Sequence, residues 1–527
     1  MKHWRFALVL LITVASPAPA QQNAHPTATP TEKLGTVHFA TSCSRAVTTE
    51  LDRSVALLHS FEFGAAIKGF GSVLASDSTC AMAHWGIAMS RWSNPMAAGN
   101  RSPQQLQQGR LEVEAARGVL KHTTDREQGY VGAVAQLYDK YETINQRDRV
   151  VGYSNAMADL VAKQPADTEA KIFYALSLVA SASPTDKTYA NQRKAGSILK
   201  TLWRKQPTHP GLAHYIIHAY DYPALAPEAA AAARKYAEIA PSAAHALHMP
   251  SHIFTRTGQW RESIRTNLRS IDIAMTTGSI AEALHASDYA EYAYLQTHDY
   301  KNAKAVLDKL PALAARFDPN AVTGAAPGSA GVFALAAIPA RFALEREAWS
   351  EAAALAPAAT SFPWSEAMTH FARALGASHT DNFVAAQASI DSLAAIRDRL
   401  AARDEPYWSE QVAIQRLGAQ AWLDLAQGHT DTALAHMSQS VAREDATDKN
   451  AVTPGPLAPA RELYGDMLMQ LHRPADALQE YQKTLAKEPN RYRSIAGGMH
   501  AAAAAHDRKA EALFKLRLNS LTHAHRN

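Results

Sequence analysis

Residues 209–260 read HPGLAHYIIHAYDYPALAPEAAAAARKYAEIAPSAAHALHMPSHIFTRTGQW, and residues 282–298 read EALHASDYAEYAYLQTH. Eight of the chain's 23 histidines fall between 209 and 298. Their spacing carries more than their number. His214 and His218 are four residues apart, and so are His248 and His252; each member of the second pair follows its counterpart by 34 residues. Thirty-four residues is the length of a two-helix repeat unit. A third pair, His285 and Asp288, follows about one period later. Residues four apart share one helix face. The stretch therefore predicts successive repeat units that present metal-competent side chains at corresponding places.

The same kind of unit, at irregular intervals, organises the rest of the chain. A turn-then-helix phrase recurs as FEFGAAIKGF (61–70), GQWRESIRTN (258–267), HDYKNAKAVL (298–307), EAWSEAAALA (347–356) and GHTDTALAHM (428–437). Prolines such as Pro165, Pro207, Pro241 and Pro311 fall at unit edges, where they stop helices. No stretch alternates β-branched residues with period two, so no sheet is expected. Gly/Pro/Ala-rich residues 318–331 predict a long loop or hinge, and residues 445–459 a second loop.

The clearest unit runs from Arg461 to Pro489. Tyr464-Gly465 takes the tight crossing, Ala477-Leu478 opens the second helix, and Tyr481 packs one turn on. Ala512-Leu513-Phe514 repeats the phrase 35 residues later. Over most of residues 47–522 the chain resembles the tetratricopeptide repeat (TPR) superfamily. CAMAHWGIAMS (80–90), HALHMPSHIF (245–254) and VTPGPLAPARELYGD (452–466) resemble a narrower group of exported bacterial TPR proteins without a firmly assigned activity. The resemblance implies an all-α fold, a TPR-like α-solenoid in which helix–turn–helix repeats wind into a right-handed superhelix. It implies that the first helix of each pair lines the concave surface. It implies no reaction, because one fold hosts many functions.

The start of the chain predicts export. Lys2 and Arg5 precede an apolar run from Phe6 to Ala15, and Ala18-Pro19-Ala20 offers a cleavage site. The organisation expected is a signal peptide (1–20), a linker and N-terminal segment (21–46), an N-terminal array with a His-rich groove (47–317), a loop or hinge (318–331), a C-terminal array (332–522) and a tail (523–527). The expected location is periplasmic or secreted, and no integral membrane span remains after signal removal. In such a compartment the two cysteines, Cys43 and Cys80, are expected to form a disulfide. The formal charge of +4 falls to about +2 without Lys2 and Arg5, too balanced to point to nucleic acid as a partner.

Imidazole with carboxylate suits zinc, copper, nickel or iron. The candidate ligands are His214, His218, Asp221, His248, His252 and His285, with His214, His218, His248 and His252 expected around one ion. His59, His84 and Asp288 are secondary groove candidates. HYIIH has the two-histidine spacing of a metalloprotease helix, but Tyr215 stands where the general-base Glu belongs. Pro250 can begin a helix, which would leave His248 outside it and weaken the second pair. No phosphate-cradling glycine loop, Gly-x-Ser-x-Gly elbow or nucleophilic Cys is present. Two functions follow. One is a solenoid that binds a peptide, protein or small ligand in its concave groove. The other is a metal-dependent enzyme, hydrolytic or oxidative, built inside that groove.

Overall fold

The computed structural model describes residue 1 and residues 32–522, apart from 98 and 184. The signal segment expected over 1–20 and the tail at 523–527 lie outside the described residues, residue 1 apart. Residues 33 onward form one compact unit. Among the described residues there are helices and connecting segments and no β-strand. No helix among them is long and apolar enough to cross a membrane. Cys43 and Cys80 are disulfide-bonded, with Cα atoms 4.9 Å apart.

The architecture is a TPR-type series of antiparallel helix pairs. Trp260–Thr277 packs on Ile280–Gln296, Pro363–His379 on Phe383–Ala402, and Pro406–Ala426 on Thr430–Ala446. Helices Ile280–Gln296, Gly328–Glu345, Pro363–His379 and Pro406–Ala426 also touch one another in succession, forming an inner row.

One turn geometry generates this row. Phe61, Gly258, His298, Glu347 and Gly428 open the five recurring phrases, and all five have positive φ, between 55° and 83°. Asp381, His472 and His506 share it. At each of these eight turns the next residue donates its N–H to the carbonyl five residues back: Glu62 to Leu57, Gln259 to Phe254, Asp299 to Tyr294, Ala348 to Ala343, Asn382 to Ala377, His429 to Asp424, Arg473 to Leu468 and Asp507 to Ala502, at 2.7–3.0 Å. This left-handed cap satisfies orphan carbonyls of the first helix and reverses the chain into the second.

The array closes on itself. Trp260 Nε1 donates to the carbonyl of Asn490 at 2.8 Å, and Asn490 Nδ2 to the carbonyl of Gly258 at 3.2 Å. Residues 318–327 form the expected loop, and helix begins at Gly328. The loop bridges Phe63–Ser76 and Ile280–Gln296, where Ala326 N–H donates to Glu282. Gly64 N–H donates to the Thr323 carbonyl at 2.8 Å, and a Cβ on Gly64 would meet the Val322 carbonyl oxygen at 2.6 Å, so glycine permits the approach. Residues 447–459 form a second strap. Tyr289 Oη donates toward the carbonyls of Ala451 and Thr453, at 3.1 and 3.0 Å, and Lys187 pairs with Asp448 at 2.7 Å.

Candidate metal centre

Three buried inner segments carry the histidines. Every residue of Pro210–Tyr220 is buried, and so is every residue of Ala244–His248 and of Pro250–Arg256. Met249 joins the latter two with φ −51° and ψ −36°. The helical path therefore continues through Pro250, and His248 and His252 still stack one turn apart. All but one residue of Ile280–Gln296 is buried. A segment buried all round must satisfy any polar group it carries, because an unpaired buried polar group is costly.

The structure sorts six histidines into two triads. His214, His218 and His245 form one, and His248, His252 and His285 the other; within each, one ligand atom per residue lies within 4.8 Å of the others. Each triad takes an i,i+4 pair from one unit and a single histidine from the next. The four pair-histidines expected at one ion are thus shared between two neighbouring groups, one repeat apart. The triads abut: ring centroids are 5.9 Å apart for His245 and His248, and 6.4 Å for His218 and His252.

Acceptors behind the rings fix the tautomers of four of the six. His214 Nδ1 lies 2.6 Å from the carbonyl oxygen of His59, which can only accept. His245 Nδ1 donates to Glu282 Oε1 at 3.0 Å, and His252 Nδ1 to Asp221 Oδ2 at 2.9 Å. His248 Nδ1 lies 2.7 Å from Asn267 Oδ1; that amide is oriented by its Nδ2, which donates to the Ser263 carbonyl. Each of these rings holds its proton on Nδ1 and keeps a lone pair on Nε2. Metal-ligating histidines are held in this way.

The consequence appears at the Nε2 atoms. Those of His248 and His252 face each other at 3.0 Å, lone pair to lone pair. Two neutral rings in these tautomers cannot hydrogen-bond there; a cation between them relieves the repulsion. Burial opposes a proton in that place. Desolvation, then the neighbouring histidines, push His214, His218, His248 and His285 well below the ordinary imidazole range. His252 is lowered by desolvation against the pull of Asp221. Two nitrogens 3.0 Å apart, each about 2.0–2.1 Å from one ion, subtend roughly 95° at it, an ordinary coordination angle. In the other triad the Nε2 atoms of His214 and His218 are also 3.0 Å apart. Nε2 of His245 and Nδ1 of His285 are buried without a hydrogen-bond partner. The residues present fit transition-metal ions.

The carboxylates stand behind the histidines. Asp221 accepts from His252 and from Arg256 Nε, at 2.9 Å each, and Lys449 Nζ lies 3.9 Å away. Burial raises its pKa, but Lys449, Arg256 and His252 together hold it well below the ordinary carboxylate range. Asp221, a candidate ligand from its spacing, orients His252 and enters neither triad. Glu282 holds His245 and accepts the Ala326 N–H at 2.8 Å, so the 318–327 loop is tied to the same network.

A narrow cavity of about 30 Å³, room for a water molecule or two, lies over both triads. His218 and His245 face it from one, His252 and His285 from the other. Its remaining wall includes Met96, Met249, Pro327, Val452 and the stacked pair Trp364 and Trp408, whose ring centroids are 4.3 Å apart. No Asp, Glu, Lys or Arg is among its described lining residues. Trp364 and Trp408 also border a wider cleft of about 670 Å³ that carries Arg91, Arg101, Arg403 and Glu405.

The secondary candidates lie elsewhere. His59 and His209 sandwich Glu169, with Nε2–carboxylate distances of 2.9 and 2.8 Å, so the acid already occupies the inner nitrogen of each ring. Gly211 lets the His59 ring approach, since a Cβ there would lie 2.5 Å from its Nδ1. His59 reaches the first triad through its carbonyl, which accepts from His214. His84 pairs with Glu112 at 2.8 Å. Asp288 pairs with Arg341 and enters neither triad.

No known family's sequence profile matches the chain, and no curated protein sequence matches it. Among solved structures, the human IFIT1 dimer with m7Gppp-AAAA is similar with a TM-score of 0.40 and 10% identity, over 84% of this chain and 90% of that one. Yeast Tom70 is similar with a TM-score of 0.38 and 12% identity, over 88% and 89%. Both likenesses are of fold alone.

Proposed function

We propose that this protein is a metal-dependent enzyme that acts on a small, largely apolar molecule inside a closed TPR-type solenoid. One observation carries the reading: four histidines have their Nδ1 atoms tied to fixed acceptors, so that their Nε2 lone pairs converge in a buried space. Evolving such a set for packing alone would leave lone-pair repulsion unrelieved. A peptide-binding groove is disfavoured, because loops 318–327 and 447–459 are tied over the histidine segments at Glu282 and Tyr289 and leave a cavity of only about 30 Å³. Oxidative chemistry is favoured over hydrolytic, because no carboxylate or lysine among the described lining residues faces the cavity to serve as a general base beside a metal-bound water. Export by residues 1–20 belongs to the reading; an intact mass beginning at Gln21 checks it. The expectation of no nucleic-acid partner rests on net charge alone.

The test uses untagged full-length protein, stripped by chelator and then given zinc, copper, nickel or iron. Thermal unfolding should shift upward with at least one of them, and His252→Ala should lose part of that shift. Protein that binds none and gains no stability would leave only a binding solenoid.

A further inference from the structure

Resting on that reading, we propose that the site is dinuclear: two copper ions, one in each histidine triad, share one dioxygen-sized ligand in the cavity above them. The pairing follows from the repeat. The i,i+4 pair of the second triad is that of the first moved on by one unit of 34 residues, and a single histidine from the next helix, His245 or His285, completes each triad. Each triad buries one member, His214 or His248, and turns its other two toward one common cavity. A ligand in that cavity therefore meets both triads together. Each triad also holds an unpartnered buried ring nitrogen, Nε2 of His245 in the first and Nδ1 of His285 in the second, so each has a donor in reserve.

The donor set selects copper. All six donors are neutral imidazole nitrogens, and no carboxylate oxygen enters either triad. Two adjacent divalent ions would place four positive charges in a desolvated space with only neutral ligands, at a steep desolvation cost. Two cuprous ions place half that charge, and three nitrogen donors complete a trigonal site. Imidazole suits copper, and copper stands at the head of the divalent affinity order when the ions are oxidised. Asp221 and Glu282, one behind each triad, offset charge from the second layer. In the reaction with dioxygen each Cu(I) gives one electron. Dioxygen accepts both, keeps its O–O σ bond, and becomes peroxide between two Cu(II) ions; no proton is consumed.

The experiment is an anaerobic Cu(I) titration of the untagged full chain, followed by exposure to dioxygen and electron paramagnetic resonance. Two equivalents should bind tightly. After oxygenation the Cu(II) signal should integrate to well under one spin per chain, because a shared ligand couples the ions. His214→Ala and His252→Ala should each bind one equivalent and show its full one-spin signal. The wild-type titration decides without either variant. Saturation at one equivalent, or two Cu(II) ions with a full two-spin signal, overturns the dinuclear proposal and leaves the metal enzyme standing. Binding of neither copper nor any other metal overturns both.

Discussion

The inner row of helices carries two buried polar networks, and they are built on opposite rules. From Arg341 to Arg493 every buried guanidinium meets carboxylates. Arg341 pairs with Asp288 and Glu291; Arg491 meets Glu462 through two 2.8 Å bonds and Glu345 at 2.6 Å; Arg493 meets Asp466 at 2.7 Å. Each guanidinium has its carboxylates within the protein. From His214 to His285 four rings are held at Nδ1, and at His248 and His252 the inner nitrogens face each other lone pair to lone pair. The contrast separates a clamp from a site. Both networks tie repeat units together, but only the histidine network leaves its own repulsion unanswered by the protein. The His59–Glu169–His209 group supports the distinction: with a carboxylate between its rings, it behaves like the arginine network.

Acid should separate the two networks most strongly. The folded-state pKa values of His214, His218, His248, His252 and His285 are lowered, chiefly by burial. The unfolded chain takes up protons as pH falls through about 6.5, while the folded chain resists. Stability is therefore full above that pH and is lost as pH falls below it. Each histidine that stays neutral contributes up to about 1.4 kcal/mol per pH unit, so the five together reach about 7. Thermal unfolding of metal-free protein at pH 7.5 and 5.5 should show a steep drop. A flat response would mean that the cluster is hydrated and open.

Arg491→Met strikes the other network. It leaves Glu345 and Glu462 buried without their cation, which should cost about 3–5 kcal/mol in denaturant unfolding. Metal binding by the surviving folded protein should be unchanged. Coupled loss of metal would show that the networks are one.

Metal itself should stabilise only the histidine side. At a hundredfold excess over its dissociation constant, each bound ion adds about 2.7 kcal/mol. That gain should vanish on chelation in the wild type and persist in Arg491→Met.

Asp221→Asn should act more gently. The residue holds His252 Nδ1 without touching the ion site, and removing such an orienting partner weakens metal affinity about 10–100-fold. Competition titration against a chromophoric chelator reads this directly. An unchanged affinity would make Asp221 merely the partner of Arg256.

Much of this is legible in the sequence. The five recurring phrases begin on the residues that adopt positive φ, because the reversal between paired helices leaves a local mark. The i,i+4 histidine pairs are legible for the same reason, and they stack as spaced. What local spacing does not supply is which neighbour each side chain meets. The 34-residue register suggests four histidines at one point, whereas a repeat displaces equivalent residues along the solenoid, so equivalence produces two sites. The pair spacing also passes over His245, although HALHMPSH places it three residues before His248. Asp288 is a partner for His285 by spacing, but Arg341 on the neighbouring helix Gly328–Glu345 claims it. Lys449 and the two straps reach the site through contacts that have no period.

The central claim is that a metal ion sits between the facing Nε2 atoms of His248 and His252. Crystals of the metal-loaded protein, measured at the absorption edge of the bound metal, test it most directly. The account predicts an anomalous peak about 2.0–2.1 Å from both nitrogens, the distance of an imidazole–metal bond. A fully loaded crystal with no peak there, and with peaks only at exposed histidines, would contradict it.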